Sequence, residues 1–199
     1  MSTQTFRRRA GRPPQIDADE IVTAAVALID AEGLEALTMR RLGTELGVTA
    51  MSLYRHLPNR DAVLAAVVSR LVREVAVEVA DGMPWPQALH RFAESYRRML
   101  LAHPHAVPLL ATHPVDEVDG LALVAPVLER FRGAGVPDED ALTAVQSVGV
   151  YVLGHALAQV GTPPGASRDP GPAEVAYYDQ WFTVGLDAFV LGLHHRLTP

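Results

Sequence analysis

The fold is decided by Thr38-Met-Arg-Arg-Leu-Gly-Thr-Glu-Leu-Gly-Val-Thr-Ala-Met-Ser-Leu-Tyr-Arg-His-Leu-Pro58. Thr38 is a suitable N-cap for a short helix, and Gly47 can adopt the left-handed conformation that ends it. The segment from Gly47 to Thr49 is so short that the next helix, which we expect Thr49 to cap, must cross the first one steeply. The stretch therefore predicts a helix-turn-helix with a projecting second helix.

The second helix of this pair has an inner and an outer face. Leu53 and Leu57 point back toward a core, and a polar and partly aromatic set faces outward: Ala50, Met51, Ser52, Tyr54, Arg55 and His56. A projecting helix of this size fits the major groove of DNA. The alternative is a short helical hairpin inside a bundle, where the same side chains are ordinary solvated surface.

Three short runs in and just after this stretch carry a family resemblance. They are Leu46-Gly-Val48, Ser52-Leu-Tyr-Arg-His56, and Asn59-Arg60 followed by Ala62 and Leu64. They resemble the DNA-binding domain of the tetracycline-repressor family of bacterial transcription factors, and the resemblance extends over residues 16–64.

This resemblance implies a set of DNA-contacting side chains: Arg40, Ala50, Met51, Ser52, Tyr54, Arg55, His56 and Arg60. Positions matching Tyr54, His56 and Arg60 usually meet phosphates in the family. Arg40 and Arg55 are the expected base readers, since arginine pairs bidentately with guanine.

Composition predicts an all-α protein. The chain has 199 residues, 49% of them hydrophobic, which is enough for one sizeable core and a small satellite domain. Apolar residues recur at helical spacing almost throughout, without a convincing alternating strand. From the resemblance and this periodicity we expect a basic arm over 1–15, a helix-turn-helix DNA-binding domain over 16–61, and a larger helical ligand-binding and dimerisation domain over 62–199.

The residue types that are missing exclude several kinds of chemistry. There is no cysteine, which excludes disulfides and thiolate metal sites, and all 17 basic residues are arginine, which excludes phosphate-loop and Schiff-base lysines. The sequence also lacks a nucleophile-elbow or metal-site motif. We therefore expect no enzyme activity, no cofactor and no metal.

Charge is distributed unevenly along the chain. Residues 1–60 contain eight arginines and seven acids, whereas residues 61–199 contain nine arginines and sixteen acids, giving a net charge of −6 overall. The N-terminal part is thus the one suited to a phosphate backbone. Arg7, Arg8, Arg9 and Arg12 form a basic arm that either contacts DNA or only aids solubility.

The sequence predicts a soluble cytoplasmic protein. We find no apolar run that looks long enough to span a bilayer. The basic run from Arg7 to Arg9 is not followed by the apolar segment of a secretory signal.

Capping residues and apolar stripes place the helices. Asp17 and Glu20 form a capping box for a first helix that ends at Gly33, and Asn59 begins a fourth helix that we expect to reach about Ala80. This fourth helix would be the only continuous rigid link between the domains, so any switch should act through it. Further helices are expected over 86–103, 115–131 with a kink at Pro126, 138–160 and 174–196, with a short interrupted helix over 104–114 and a loop over 161–173.

The last two helices are apolar nearly all round. They could form a four-helix bundle with a second subunit, or they could simply be the central helices of one domain. We favour the homodimer, which the family resemblance supports, with an interface at Val148, Val152, Phe182, Leu186, Phe189 and Leu193.

The second domain also resembles the ligand-binding domain of the tetracycline repressor from which the family takes its name. The resemblance rests on Trp85, the Leu-Leu-Ala-Thr-His-Pro run ending at Pro114, Ala141-Leu142, Ser147-Val-Gly149 and Leu153-Gly154. At positions where that repressor holds its antibiotic and magnesium with polar groups, this chain has Ala76, Phe92 and Leu109, and only Thr112 stays polar. The resemblance therefore implies an effector more apolar than tetracycline.

The candidate pocket residues are inward aromatic, apolar and polar side chains: Phe92, Tyr96, Met99, His103, Leu110, Thr112, His113, Val124, Leu128, Gln146, Tyr151 and His155. Core packing is the alternative for each. Gln146, Tyr151 and His155 are the most informative, because polar groups in a charge-free helix need partners. His103, His105 and His113 lie near Asp116, Glu117 and Asp119, but their spacing matches no zinc pattern, so solvated loop residues are the preferred interpretation.

Together these features predict a ligand-responsive transcriptional regulator, most simply a repressor. It would bind a palindromic double-stranded DNA operator as a homodimer and be released by an apolar small-molecule effector. The alternative is a ligand-independent architectural DNA-binding protein.

Overall fold

The computed structural model describes residues 16–161 and 171–197, and this part of the chain is helical without a strand. The expected basic arm, most of the loop over 161–173 and the last two residues lie outside it. The helices are α1 Ala18–Glu32, α2 Met39–Glu45, α3 Ala50–Tyr54, α4 Arg60–Glu74, α5 Trp85–Ala102, α6 Val107–Thr112, α7 Glu117–Gly133, α8 Asp138–Val160 and α9 Pro172–Leu197, with single 3-10 turns at Leu34–Ala36 and Pro104–Ala106.

The N-terminal helices begin at the predicted caps. The Asp17 side chain accepts from the Glu20 amide at 2.8 Å, and the Glu20 carboxylate accepts from the Asp17 amide at 3.1 Å, which completes the capping box. Thr38 and Asn59 accept from amides three residues ahead, at 3.1 and 2.8 Å. These bonds satisfy amides that the first turns leave unpaired.

Thr49 does not cap α3 as predicted. Its side chain makes no hydrogen bond to the first-turn amides of α3, and its Oγ1 lies 3.2 Å from the Ser52 hydroxyl instead. The backbone turn is as expected, because Gly47 has a φ of 65°, in the left-handed region that glycine tolerates.

The N-terminal domain is a small core of α1 to α4. Ile21, Ile29, Leu42, Leu53 and Val63 have no solvent exposure and lie on four different helices. Burial of this kind stabilises each helix by about 1.5–3 kcal/mol per large apolar side chain. The core therefore holds the short helices α2 and α3, which would be too short to be stable alone.

Helix α4 is shorter than predicted. It ends at Glu74, and residues 75–80 are non-helical, so Ala76 is an exposed residue outside the helix. Val75, Val77 and Val79 follow at a spacing of two, and β-branched side chains crowd the preceding turn of a helix. Helix α4 still reaches the second domain, since it packs against α6 and α7.

The C-terminal domain is arranged around α5 and α8. Helix α5 packs against α7, α8 and α9, and α8 also contacts α6, α7 and α9. The Trp85 and Phe131 rings are stacked with centroids 4.4 Å apart, which joins the start of α5 to the end of α7. Pro126 lies inside α7, which begins at Glu117, two residues later than predicted.

The expectation that no apolar run is long enough to span a bilayer is wrong for α8. By length and composition it is long and apolar enough to cross a bilayer. In the fold, however, it is the central helix of the C-terminal domain, and its Val148 and Val152 have no solvent exposure. A central helix of a water-soluble domain meets the same length and composition test.

Candidate nucleic-acid interface and effector cavity

The turn between α2 and α3 depends on a close approach of backbone at Gly43. The Val48 amide donates to the Gly43 carbonyl at 2.9 Å. A Cβ atom at position 43 would lie 2.9 Å from the Val48 carbonyl oxygen and 3.3 Å from the Ala50 amide nitrogen. Since both contacts are backbone atoms that cannot move aside cheaply, glycine permits the crossing of the two helices.

Helix α3 presents most of the predicted DNA-contacting side chains to solvent. Tyr54, Arg55 and His56 are exposed, and Met51 is 72% exposed, which is high for a large apolar side chain. Arg55 donates to the Ser52 hydroxyl at 3.3 Å, so the guanidinium lies along the outer face of the helix. Ala50 and Ser52 are half-buried. The exposed methionine and arginine together suit contacts to base edges in a groove.

The arginines that flank α3 have different environments. Arg40 is exposed on α2, whereas the adjacent Arg41 is held by Glu32 at 2.5 Å and Glu45 at 2.8 Å. Arg60 is half-buried, and its guanidinium donates to the carbonyls of Leu37 at 2.7 Å and Leu34 at 3.1 Å. Arg60 was predicted to contact DNA, and the structure places its guanidinium against the loop before α2.

A cavity of about 650 Å³ lies in the C-terminal domain between α5, α7 and α8. Phe92 and Tyr96 form one wall, with nearly parallel rings whose centroids are 5.9 Å apart. Val72, in the last turn of α4, also lines the cavity. The cavity therefore touches the helix that follows α3 in the chain.

Five of the twelve predicted pocket residues line this cavity: Phe92, Tyr96, Leu110, Val124 and Gln146. The structure places the other seven elsewhere: Met99, His103, Thr112, His113, Leu128, Tyr151 and His155. Burial raises the pKa of Tyr96 to about 12, so its hydroxyl stays protonated and can donate a hydrogen bond.

Twelve lining residues were not predicted: Val72, Val115, Asp116, Glu117, Gly120, Leu121, Leu123, Leu142, Val145, Gly149, Val150 and Leu153. Helical spacing groups several of them on single faces of α7 and α8. It does not reveal that these faces stand apart and leave a space, because that depends on how the helices cross.

His103 joins three elements at the domain boundary instead of lining the cavity. Its Nδ1 lies 2.9 Å from Asp30 Oδ2 in α1, and its Nε2 lies 3.5 Å from Glu74 Oε2 at the end of α4. His105 Nδ1 lies 2.9 Å from the Asp30 carbonyl oxygen. These histidines thus connect the N-terminal domain to the end of α5.

Tyr151 and His155 lie between α8 and α9. The Tyr151 hydroxyl donates to the Phe182 carbonyl at 2.9 Å. His155 is packed among aromatic rings, with the Trp181 ring centroid at 4.9 Å. Burial, and secondarily the charge of Arg97, lower the pKa of His155.

The predicted dimer residues differ in how far the single chain already buries them. Val148 and Val152 have no solvent exposure in the single chain, and Phe182 and Leu186 are also buried, because these four side chains fill the core that α8 and α9 share with α5. Phe189 is exposed and Leu193 half-buried. Helix α9 exposes six large apolar side chains: Val175, Tyr177, Trp181, Val184, Phe189 and Leu191. Four of them recur at helical intervals and define what we call the α9 outer face: Tyr177, Trp181, Val184 and Leu191.

Within the described residues, no group of three histidine, cysteine or acidic side chains is placed to hold a metal ion. The candidates His103 and His105 are occupied with Asp30 and Glu74, as described above.

Two family models match the chain. Residues 21–67 match the model described as bacterial regulatory proteins of the tetR family, and residues 80–179 match the tetracyclin repressor-like C-terminal domain. The two matches fall on the helix-turn-helix and on the part of the chain that contains the cavity.

Curated relatives carry consistent names. An HTH-type transcriptional regulator of Saccharopolyspora erythraea is 36% identical over 73% of this chain and 62% of its own length. The repressor DrrR1 of Streptomyces coeruleorubidus is 33% identical over 77% of this chain and 57% of its own length. The chain thus matches about three fifths of the length of these two relatives. The class D tetracycline repressor protein of Escherichia coli is 31% identical, and the match covers 73% of this chain and 67% of that protein.

Solved structures agree with the fold. ActR of Streptomyces coelicolor in complex with actinorhodin has a TM-score of 0.80 at 27% identity, covering 94% of this chain and 99% of that one. A TetR variant of Acinetobacter baumannii in complex with minocycline has a TM-score of 0.80 at 24% identity over 92% of this chain and 99% of that one, a likeness of fold alone. With its helix-turn-helix, its helical C-terminal domain and these matches, the chain belongs to the tetracycline-repressor family of transcriptional regulators.

Proposed function

We propose that this protein is a cytoplasmic transcriptional repressor that binds a palindromic operator as a homodimer and leaves it when an apolar small molecule enters the cavity. The observation that carries the proposal is the position of the cavity beside α4. Val72 of α4 lines the cavity, and α4 begins at Arg60, directly after the segment that follows α3. A ligand that displaces Val72 would therefore also shift α3.

The DNA part of the proposal rests on the outer face of α3. Arg55 and the exposed Arg40 of α2 are suited to guanine, and Met51 is suited to a thymine methyl group. Tyr54 and His56 would meet phosphates, and Arg60 would support them by holding the loop at Leu34 and Leu37. Two such helices in a dimer would read half-sites spaced by about one helical turn of DNA or a multiple of it.

The dimer part rests on the α9 outer face. Tyr177, Trp181, Val184 and Leu191 present apolar surface that the single chain leaves in water. A second copy of α9, related by a twofold axis, would cover it.

The effector part rests on the chemistry of the cavity. Its walls are mostly apolar, with Tyr96 and Gln146 as polar groups able to orient a ligand. ActR, a structural relative, has been solved with actinorhodin bound. An effector that binds the released form more tightly by about 1–3 kcal/mol would give useful regulation.

A mobility-shift assay with the DNA that flanks the protein's own gene tests the proposal. We expect a retarded complex that competitor DNA of unrelated sequence does not remove, and that an apolar ligand of the cavity dissociates. A complex that no cavity ligand dissociates would favour the architectural alternative, and equal affinity for all duplexes would contradict the operator.

A further inference from the structure

The charges at the cavity define which effectors it accepts. Among the described residues that line it, Asp116 and Glu117 are the ionisable carboxylates, and none is arginine or histidine. Both are solvent-exposed side chains at the start of α7, adjacent in the chain to Val115, which also lines the cavity. A charged ligand would therefore meet negative charge without a compensating positive group in the lining.

The neighbouring charges leave these carboxylates available. Asp116 Oδ1 accepts from the Val118 amide at 2.9 Å and the Asp119 amide at 3.4 Å, and this capping leaves its second oxygen for other partners. Arg73 is a neighbouring cation: its Nε is bonded to Asp119 at 2.7 Å, and it also interacts electrostatically with Asp116. Three carboxylates, those of Asp116, Glu117 and Asp119, stand against Arg73 here, so the net charge of these four side chains is negative.

Two aromatic side chains of the lining favour the same kind of ligand. Phe92 and Tyr96 both line the cavity, and their rings are nearly parallel, with an interplanar angle of 12° and a centroid separation of 5.9 Å. Aromatic faces carry negative charge density and attract cations, and they also stack on planar ring systems. Apart from Gln146, the rest of the lining is aliphatic or glycine, so few positions in the cavity can accept the polar end of a ligand.

We infer that the cavity selects effectors with a planar, apolar ring system and one positively charged group, such as an amine or quaternary nitrogen, over anions of the same shape. The nitrogen would lie toward Asp116 and Glu117, and the ring system would lie against Phe92 and Tyr96. This inference rests on the proposed effector cavity and adds the charge class of the effector.

The test uses the full-length protein without DNA and three fused tricyclic fluorophores of similar size. They are aminoacridine, which is cationic at neutral pH, the neutral hydroxymethylanthracene, and the anionic anthracenecarboxylate. Fluorescence titration should give the tightest binding for the cation, with a preference over the anion on the order of tenfold or more at low salt. Equal or tighter binding of the anion, or the absence of binding by the cation, would overturn the inference.

Two variants locate the effect. Asp116→Asn with Glu117→Gln should reduce the preference for the cation to within about threefold, because the amides keep the size of both side chains and asparagine can still cap α7. Glu139→Gln removes an acid from the first turn of α8, outside the cavity lining, and should leave the preference unchanged. A preference that survives the double variant would also overturn the inference.

A separate measurement distinguishes this inference from the proposed function. DNA binding is followed by fluorescence anisotropy of a labelled operator with and without each fluorophore. Tight cation binding without release of DNA would count against the repressor mechanism and leave the charge preference standing. Release by the anion rather than the cation would leave the repressor mechanism standing and overturn the charge preference.

Discussion

Arg73 in α4 donates from Nε to Oδ1 of Asp119 in α7 across 2.7 Å, and the carboxylate is only 8% exposed. Asp119 lies two residues after Glu117, which lines the cavity, and Arg73 follows the cavity residue Val72. The ion pair therefore ties the start of α7 to the helix that leads to α3. Movement of α7 around a ligand would pull on α4 at this point.

Hydrogen bonds from Arg73 and Ser69 hold the pKa of Asp119 below its ordinary value. A carboxyl group whose pKa is lower in the folded state adds stability above its unfolded pKa, and this stability is lost as the pH falls through the folded value. We expect Asp119→Asn to lower the melting temperature at pH 7 and to differ progressively less from the parent protein below about pH 4. Thermal unfolding across this range checks the prediction, and a difference independent of pH would contradict it.

Arg55→Ala should weaken operator binding by about 1–3 kcal/mol and relax selectivity at one base pair per half-site. The reason is the loss of a bidentate contact to guanine from the outer face of α3. Affinities for operators altered at single positions measure this, with Arg98→Ala, an exposed arginine on α5, as the control. Equal weakening on every sequence would assign Arg55 to phosphate binding instead.

Gly43→Ala should destabilise the N-terminal domain by about 1–3 kcal/mol, since the new methyl group meets backbone atoms of Val48 and Ala50. DNA affinity should fall as well, because α3 is displaced relative to α2. Urea denaturation and operator titration measure the two effects. Gly133→Ala at the end of α7 is the matched control, since its Cβ would contact nothing within 4 Å. If Gly43→Ala were as stable as the parent protein, the close approach of Gly43 to the backbone of Val48 and Ala50 would be ruled out.

Val184→Glu should convert a dimer into a folded monomer. Val184 is 61% exposed on the α9 outer face, so a carboxylate there costs the single chain little but would be buried in the dimer. Light scattering coupled to size-exclusion chromatography gives the mass. Val118→Glu, which changes an exposed apolar residue of α7, is the control and should leave the mass unchanged. If Val184→Glu remained a dimer, the interface would lie elsewhere.

Larger side chains at position 149 should fill the cavity in a graded way. A Cβ there would lie 3.9 Å from the tip of the Phe92 ring, an ordinary contact, so Gly149→Ala should still bind ligand. Gly149→Leu and Gly149→Phe should lose ligand affinity in that order, because their side chains occupy the space of the ligand, and their operator affinity shows whether filling the cavity is enough to move α4. Binding titrations with a cavity ligand and with operator DNA measure this; undiminished ligand affinity in Gly149→Phe would place the ligand elsewhere.

Local signals were enough to predict where α1, α2 and α4 begin. Each cap at Asp17, Thr38 and Asn59 depends on an amide three residues ahead, and these bonds form as expected. The predicted end of α4 was wrong, because Val75 and Val79 fit the apolar stripe of a helix and the alternation of an extended segment equally well. Nothing local distinguishes the two.

Long-range packing explains the remaining differences. His103 pairs with Asp30, 73 positions earlier, and no spacing rule relates such residues. Helices α8 and α9 are apolar nearly all round, so periodicity could not show that Val148 faces the core of its own chain while Val184 faces out. The cavity was only partly predicted, since its space arises from the crossing of α5, α7 and α8.

Selection of bound duplexes from a random pool, followed by the mass of the complex on the enriched sequence, is the most direct measurement. A repressor with paired α3 helices should enrich one twofold-symmetric sequence, with half-sites about one helical turn apart or a multiple of it, and should bind it with an even number of chains. Enrichment of no sequence, or a single chain on an asymmetric site, would contradict the dimeric helix-turn-helix regulator.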